Sequence, residues 1–243
     1  MYTDLNLGSK RKTSISEKLF LVDMKENPTL ELNSPIIDIK VKELLSRGAE
    51  AEIWRVDWFG RDAVVKKRVK KGYRHPKLDD GIRKSRIKKE SKLMVLARSA
   101  GVPVPIIYDL RLEDKTMIIQ YFNGPRVMDA INEGYQVDLK IIGKHIGRLH
   151  EAGVTHGDLT TSNILFSPES ESFCFIDFSL GEQDSSIEDM GVDLHLMREA
   201  LISVHDDPLK LYEEVLEGYR EVFSGAEETI DRVKKIESRG RYQ

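Results

Sequence analysis

One cysteine, no internal repeat, no low-complexity tract and no uncharged apolar run near the length of a membrane span are the absences that bound this 243-residue chain. A lone thiol, Cys174, cannot close a disulfide within the chain. No basic, then apolar, then small-residue order at the start marks a secretory signal. Both point to a reducing, cytoplasmic setting. A bilayer span needs about 20 consecutive apolar residues, so an integral membrane protein is not expected. What is present is enough for a core: 40% of the residues are hydrophobic, which suits one large domain or two small lobes and excludes disorder throughout.

Charge is segregated. Residues 61–98 carry 15 Lys/Arg against 4 Asp/Glu, whereas the whole chain has a formal net charge of −3. Such a basic band attracts a polyanion or an acidic protein partner; the alternative is a solvated helix face in a charge-rich protein.

The first 35 residues are polar, with a basic patch at Lys10 to Lys12 and a short apolar stretch at Leu19 to Val22, and read as a loosely held extension. From residue 36 the pattern turns to strands. Segments 37–45, 51–59 and 63–69 are rich in Val, Ile and Trp, separated by turn signals at Arg47-Gly48 and Gly60-Arg61-Asp62. A basic helix over about 79–99 is stopped by Gly101, Pro103 and Pro105. Strands at 106–110 and 117–122 complete a five-strand antiparallel sheet with one helix. After Asn123-Gly124-Pro125 the character is helical, beginning with 139–152, where Ile142, Ile146 and Leu149 share one face. The expected architecture is α+β and two-lobed, with a small sheet lobe over 36–122, a mainly helical lobe over 123–243, and a ligand cleft between them.

The densest chemical signal is His156-Gly157-Asp158-Leu159-Thr160-Thr161-Ser162-Asn163, then Ile164-Leu165-Phe166, and after a polar turn Phe173-Cys174-Phe175-Ile176-Asp177-Phe178-Ser179. If the two apolar segments pair as a hairpin, Asn163 and Asp177 reach the same open end, about 5 Å apart. An amide oxygen and a carboxylate there suit Mg²⁺, which keeps its other positions for water and phosphate. Asp158 can approach the same point and take a proton from an attacking hydroxyl. This is the catalytic-loop and metal plan of protein kinases, with H-G-D for H-R-D and D-F-S for D-F-G. The bland alternative is that Asp158 and Asn163 cap a turn and Asp177 ends a strand.

A kinase also needs a strand lysine held by a helix glutamate. Ala63-Val64-Val65-Lys66 supplies the lysine. Lys67, which strand alternation aims to the other face, is the rival. Glu90, at helical spacing from Ile87, Leu93, Met94 and Ala97, faces inward and needs a cation. The phosphate loop is weak: Arg47-Gly48-Ala49-Glu50-Ala51 has one glycine, leaving Gly48, Ala49 and Glu50 as candidate ATP contacts. Adenine is expected at the lobe connection, against backbone groups of Gln120 and Phe122. Cys174, between two phenylalanines, reads as core packing.

With Gly48-Ala49-Glu50-Ala51, Lys71-Gly72-Tyr73-Arg74-His75-Pro76 with Leu78-Asp79, the His156 to Asn163 run, Gly191-Val192-Asp193-Leu194 and Arg239-Gly240-Arg241, residues 42–243 resemble the small atypical kinases of the KEOPS (EKC) complex, the Bud kinase or PRPK family. The resemblance implies an ATP-dependent serine/threonine kinase and ATPase that partners a threonylcarbamoyl-transferring ATPase subunit and other KEOPS subunits in modifying adenosine 37 of tRNA. It also implies that Lys66, Glu90, Asp158, Asn163 and Asp177 keep the roles given above. Some relatives are fused behind the ATPase subunit, which gives residues 1–35 a reading as a linker remnant.

Two departures from ordinary kinases stand out. Gly157 replaces the arginine that would bind a phosphorylated activation loop, and only 13 residues separate Asp177 from Gly191, so a peptide-docking platform hardly fits. Thr160 stands where many protein kinases have lysine. The basic band (Arg74, His75, Lys77, Arg83, Lys84, Arg86) and tail (Arg239, Arg241) then meet tRNA phosphates or an acidic face of the partner. The competing functions are a RIO-like or aminoglycoside-type phosphotransferase and a nucleotide-binding scaffold without turnover.

Overall fold

Alternation of apolar and polar residues gives the chain its first layer, an antiparallel sheet. In the computed structural model, which describes residue 30, residues 39–203 and residues 207–240, this sheet has five strands in the order β1-β2-β3-β5-β4. They are β1 (Ile39–Arg47), β2 (Ala51–Trp58), β3 (Arg61–Arg68), β4 (Ile107–Arg111) and β5 (Thr116–Gln120). The expected extension over residues 1–35 falls, apart from Leu30, outside the described residues. β1 is a mostly exposed edge strand with two irregularities in its pairing to β2, between Val41 and Glu43 and between Leu44 and Ser46. Register shifts of this kind add twist and blunt an exposed edge.

Helix α1 (Pro76–Ser99) starts three residues before the expected boundary. Pro76 suits the first helical turn because its missing N–H would have no intrahelical partner there. Asp79 is instead the organiser of the preceding loop: fully buried, it accepts from the Lys71 backbone N–H at 3.3 Å and from Arg83 Nε at 2.7 Å. Ile87, Glu90, Leu93, Met94 and Ala97 form the buried face of α1.

β5 ends at Gln120 rather than at Phe122. Tyr121 donates to the Asp62 carbonyl at 3.4 Å and closes the ladder with β3. A short helix, α2 (Val127–Asn132), leads to α3 (Leu139–Glu151), capped by the Asp138 carboxylate accepting from the Lys140 and Ile141 N–H groups. Its buried stripe of Leu139, Ile142, Ile146 and Leu149 carries the expected periodicity. Next come β6 (Val154–Thr155), a single 3-10 turn (Thr161–Asn163), the hairpin β7 (Ile164–Ser167) and β8 (Ser172–Phe175), and β9 (Glu182–Gln183), which pairs with β6. Three helices complete the chain: α4 (Ile187–Ile202), α5 (Pro208–Arg220) and α6 (Ala226–Gly240).

One continuous core joins the inner face of the sheet (Val64, Met117, Ile119) through α1 (Ile87, Leu93, Met94) to the helices (Ile142, Ile146, Leu194, Met197, Val215, Tyr219). The Phe175 N–H also donates to the Pro103 carbonyl at 2.8 Å, tying the hairpin to the connection after α1. Among the described residues no helix is long and apolar enough to cross a membrane.

Candidate active site

Strand β3 is buried on both sides, and its period of two aims Val64, Lys66 and Arg68 toward α1. A buried ammonium group needs anions close by. Lys66 Nζ has two: Glu90 Oε1 at 2.5 Å and Asp177 Oδ1 at 2.9 Å. The second contact links the sheet to the segment after β8. Of the two lysine candidates, Lys66 is thus the one beside Glu90 and Asp177. Glu90 is itself almost wholly buried, and its other oxygen takes a second cation, Arg68 Nη2, at 2.5 Å. The sequence reading did not include Arg68. Strand alternation two residues beyond Lys66 was the signal that placed it on the same face.

The hairpin brings the remaining residues together. Ile164 pairs with Phe175, and the Ile176 N–H donates to the Asn163 carbonyl at 2.9 Å, so Asn163 and Asp177 flank the open end. Asn163 Nδ2 donates to the Asp158 carbonyl at 2.8 Å and to Asp158 Oδ2 at 2.9 Å. Only an N–H can make both bonds, so the amide oxygen is the end left for a cation. The Asn163 amide oxygen and the Asp177 carboxylate, at the same end of the hairpin, are both hard oxygen donors. They are the donor type that would suit Mg²⁺. Asp158 Oδ1 takes no part in these bonds to Asn163. Asp177 adopts a left-handed backbone (φ 65°), a conformation aspartate tolerates better than most residues. Burial pushes the Asp177 carboxyl upward, but Lys66 through charge and hydrogen bond, the Ser179 hydroxyl and the charge of Arg68 outweigh it and hold the group at about 2.

The loop carrying Asp158 is held from beneath. Asp193 on α4, buried, accepts from the His156 N–H at 2.6 Å and the Gly157 N–H at 2.8 Å. His150 meets Asp193 Oδ2 through Nε2 at 3.3 Å and the Tyr219 hydroxyl through Nδ1 at 2.7 Å. The His156 ring packs against Phe178 at a centroid distance of 4.5 Å. Its Nε2 reaches the Ile176 carbonyl at 2.9 Å, and its Nδ1 accepts from the Asp158 N–H at 3.3 Å. That pattern requires the neutral Nε2–H tautomer, and burial lowers the ring's pKa accordingly.

Gly157 has φ +79°, and a Cβ there would lie 2.3 Å from the Leu180 carbonyl carbon and oxygen. Any side chain, arginine included, is therefore excluded at this position by the segment that follows Asp177. That segment is short and ends where Ser186 and Asp189 form a reciprocal cap on α4.

The expected ATP contacts are placed less directly. The Gly48 N–H donates to the Ala51 carbonyl at 3.0 Å, closing the β1–β2 turn. The Ala49 carbonyl accepts from Lys71 Nζ, and the Glu50 carboxylate pairs with Arg86. Both groups are thus engaged by cations between β3 and the middle of α1. The Gln120 N–H is bound to the Ile106 carbonyl at 2.8 Å, so its backbone offers a ligand the carbonyl alone. Half-buried Phe122 follows in the linker. A cavity of about 420 Å³ opens beside this linker, lined among others by Tyr121, Tyr135 and Pro168; none of Lys66, Asp158 and Asp177 lines it. Cys174 is buried in the hairpin and its thiol is pushed up to about 12 by burial, with Arg98 opposing slightly, which suits packing and not nucleophilic attack.

Residues 125–219 match the lipopolysaccharide kinase (Kdo/WaaP) family. The chain is 36% identical to the KEOPS complex subunit Bud32 of Pyrococcus abyssi over 219 residues, covering 83% of this chain and 96% of that protein. It is 31% identical to the EKC/KEOPS complex subunit bud32 of Dictyostelium discoideum, over 88% of this chain and 89% of that one. A probable bifunctional tRNA threonylcarbamoyladenosine biosynthesis protein of Methanothermobacter thermautotrophicus is 39% identical over 205 residues, which are 82% of this chain but only 36% of that protein. The chain thus spans little more than a third of the length of such bifunctional relatives.

Proposed function

Because the chain belongs to the Bud32 family of KEOPS-complex subunits, we propose that it is an ATP-dependent phosphotransferase, an atypical serine/threonine kinase and ATPase, within an assembly that makes N6-threonylcarbamoyladenosine in tRNA. The observation that carries the reading is Lys66 bonded at once to Glu90 and Asp177, with Asn163 clamped to Asp158 at the same end of the hairpin.

In this proposal the lobes are residues 36–122 and 123–243, and residues 1–35 are a linker. The adenine edge meets the Gln120 carbonyl and the Phe122 backbone, and the β1–β2 turn at Gly48, Ala49 and Glu50 covers the phosphates. Lys66, steadied by Glu90, releases Asp177 and holds the phosphates. Mg²⁺ bound by Asn163 and Asp177 would neutralise charge on the oxygens around the transferred phosphorus. Asp158 takes the proton from a hydroxyl or water as its oxygen bonds to the γ-phosphorus; the bond from that phosphorus to the bridging oxygen breaks and ADP departs. The short segment after Asp177 offers no long platform for a peptide, so partner proteins select what is phosphorylated. The setting is cytoplasmic.

A second reading is favoured by the lipopolysaccharide-kinase match over 125–219: a phosphotransferase for a small hydroxylated acceptor. Steady-state ATP turnover with Mg²⁺, with and without tRNA and the threonylcarbamoyl-transferring partner, separates the two. Stimulation by both additions is expected, whereas turnover stimulated by a sugar acceptor alone favours the second. Asp158→Asn is expected to lower phosphate release and autophosphorylation by about 100-fold or more, the scale of general-base loss, while ATP binding changes little. Undiminished turnover in that variant would remove Asp158 as the base.

A further inference from the structure

Lys66 and Glu90 would satisfy one another without help, yet a second cation sits on the same carboxylate. Arg68 is 3% exposed, bonds Glu90 Oε2 at 2.5 Å, and its Nε has no acceptor among the described residues. Taking a guanidinium out of water costs several kcal/mol unless its surroundings compensate, so its charge calls for a reason. The arrangement supplies one. Arg68, Glu90, Lys66 and Asp177 form a chain of alternating sign, +, −, +, −, that is neutral as a set. Its inner end is dry, and its outer end, Asp177, has 43% of its side chain exposed.

We propose that Arg68 is a positioning residue for nucleotide: it balances Glu90 so that the charge of Lys66 is free to act on the ATP phosphates, and it thereby sets the relative affinity of the site for nucleotide and for metal. The inference rests on the phosphotransferase reading above and deepens it. Without Arg68 the remaining three groups sum to −1. Lys66 is then drawn wholly to Glu90, and the field at the phosphate position becomes more negative by one charge. A polyanion is bound more weakly and a divalent cation more tightly. For a unit charge about 12 Å away at an effective dielectric of about 20, each change is on the order of tenfold.

The test uses the full chain and two probes, ATP at saturating Mg²⁺ followed by calorimetry, and Mn²⁺ alone followed by electron paramagnetic resonance. Arg68→Gln is expected to weaken ATP about tenfold and to tighten Mn²⁺, and Arg68→Lys to restore both. In the double variant Arg68→Gln/Glu90→Gln the site is neutral again, so ATP affinity should recover even though turnover stays low. A purely structural arginine predicts the opposite: loss of both ligands in the single variant and a deeper loss in the double one. That result, or unchanged affinities in a folded Arg68→Gln protein, would overturn the proposal. Failure of the unaltered protein to bind ATP would instead bring down the phosphotransferase reading on which it depends.

Discussion

Histidine protonation is where burial has its clearest consequence at the level of single residues. His145 on α3 is half-buried, stacked edge-on against Phe175 at 5.9 Å, and its pKa falls from 6.5 to about 4, chiefly through desolvation and then through the charge of Arg148. A base whose pKa is lowered in the fold binds its proton more readily when unfolded. Its contribution is therefore intact above the unfolded value and is lost as pH falls from 6.5 toward 4. His156 acts in the same direction. Urea unfolding across this window should show stability rising with pH, and His145→Asn should flatten the slope; an unaltered slope would assign the effect elsewhere. That Lys66 lies beside Glu90 and Asp177, and Asn163 beside Asp158, was legible in the sequence because each position is fixed by local spacing along a strand, a helix or a hairpin. Arg68 was not. One lysine already accounted for Glu90, and nothing local demands a second cation.

Helices α3 and α5 meet through glycines. A Cβ on Gly143 would lie 1.9 Å from the Val215 carbonyl oxygen, and one on Gly218 would lie 1.9 Å from the Lys140 carbonyl oxygen, so backbone packs on backbone in both directions. Elsewhere in a helix, glycine to alanine is stabilising by propensity, about 1 kcal/mol. At this crossing the sign reverses. Gly143→Ala is expected to destabilise by about 1–3 kcal/mol or more, as overpacked cores do, visible as a lower thermal midpoint, whereas a raised midpoint would show that the helices can part without cost. The helix α3 was legible from its stripe of Ile142, Ile146 and Leu149, but its crossing with α5 was not, because a glycine leaves no mark on hydrophobic periodicity. The start of α1 at Pro76 was missed for a related reason: Asp79 looks like a helix-opening acid, yet its role lies in contacts to Lys71 and Arg83.

Over the whole molecule, the basic band of residues 61–98 is largely consumed by internal pairs. Arg83 binds Asp79, Lys84 binds Glu113, Arg86 binds Glu50 and Lys89 binds Glu182. These acids lie partly outside the band, so a count along the chain overstates the field. Lys70, Lys77, Lys88 and Lys92 stay exposed and are the cations best placed for RNA phosphates; the side chains of Arg239 and Arg241 fall outside the described residues. If tRNA lies on α1, Lys88→Glu with Lys92→Glu should reduce the slope of log affinity against log salt by about two, near 0.9 per phosphate contact. An unchanged slope would leave the band to a protein partner.

The fit of Leu180 over Gly157 limits how this molecule can be controlled. Restoring arginine there in the hope of installing a phosphate-operated switch would evict the neighbouring strand of chain and leave the new guanidinium no berth. A switch that works through an arginine at this position is therefore closed to the chain.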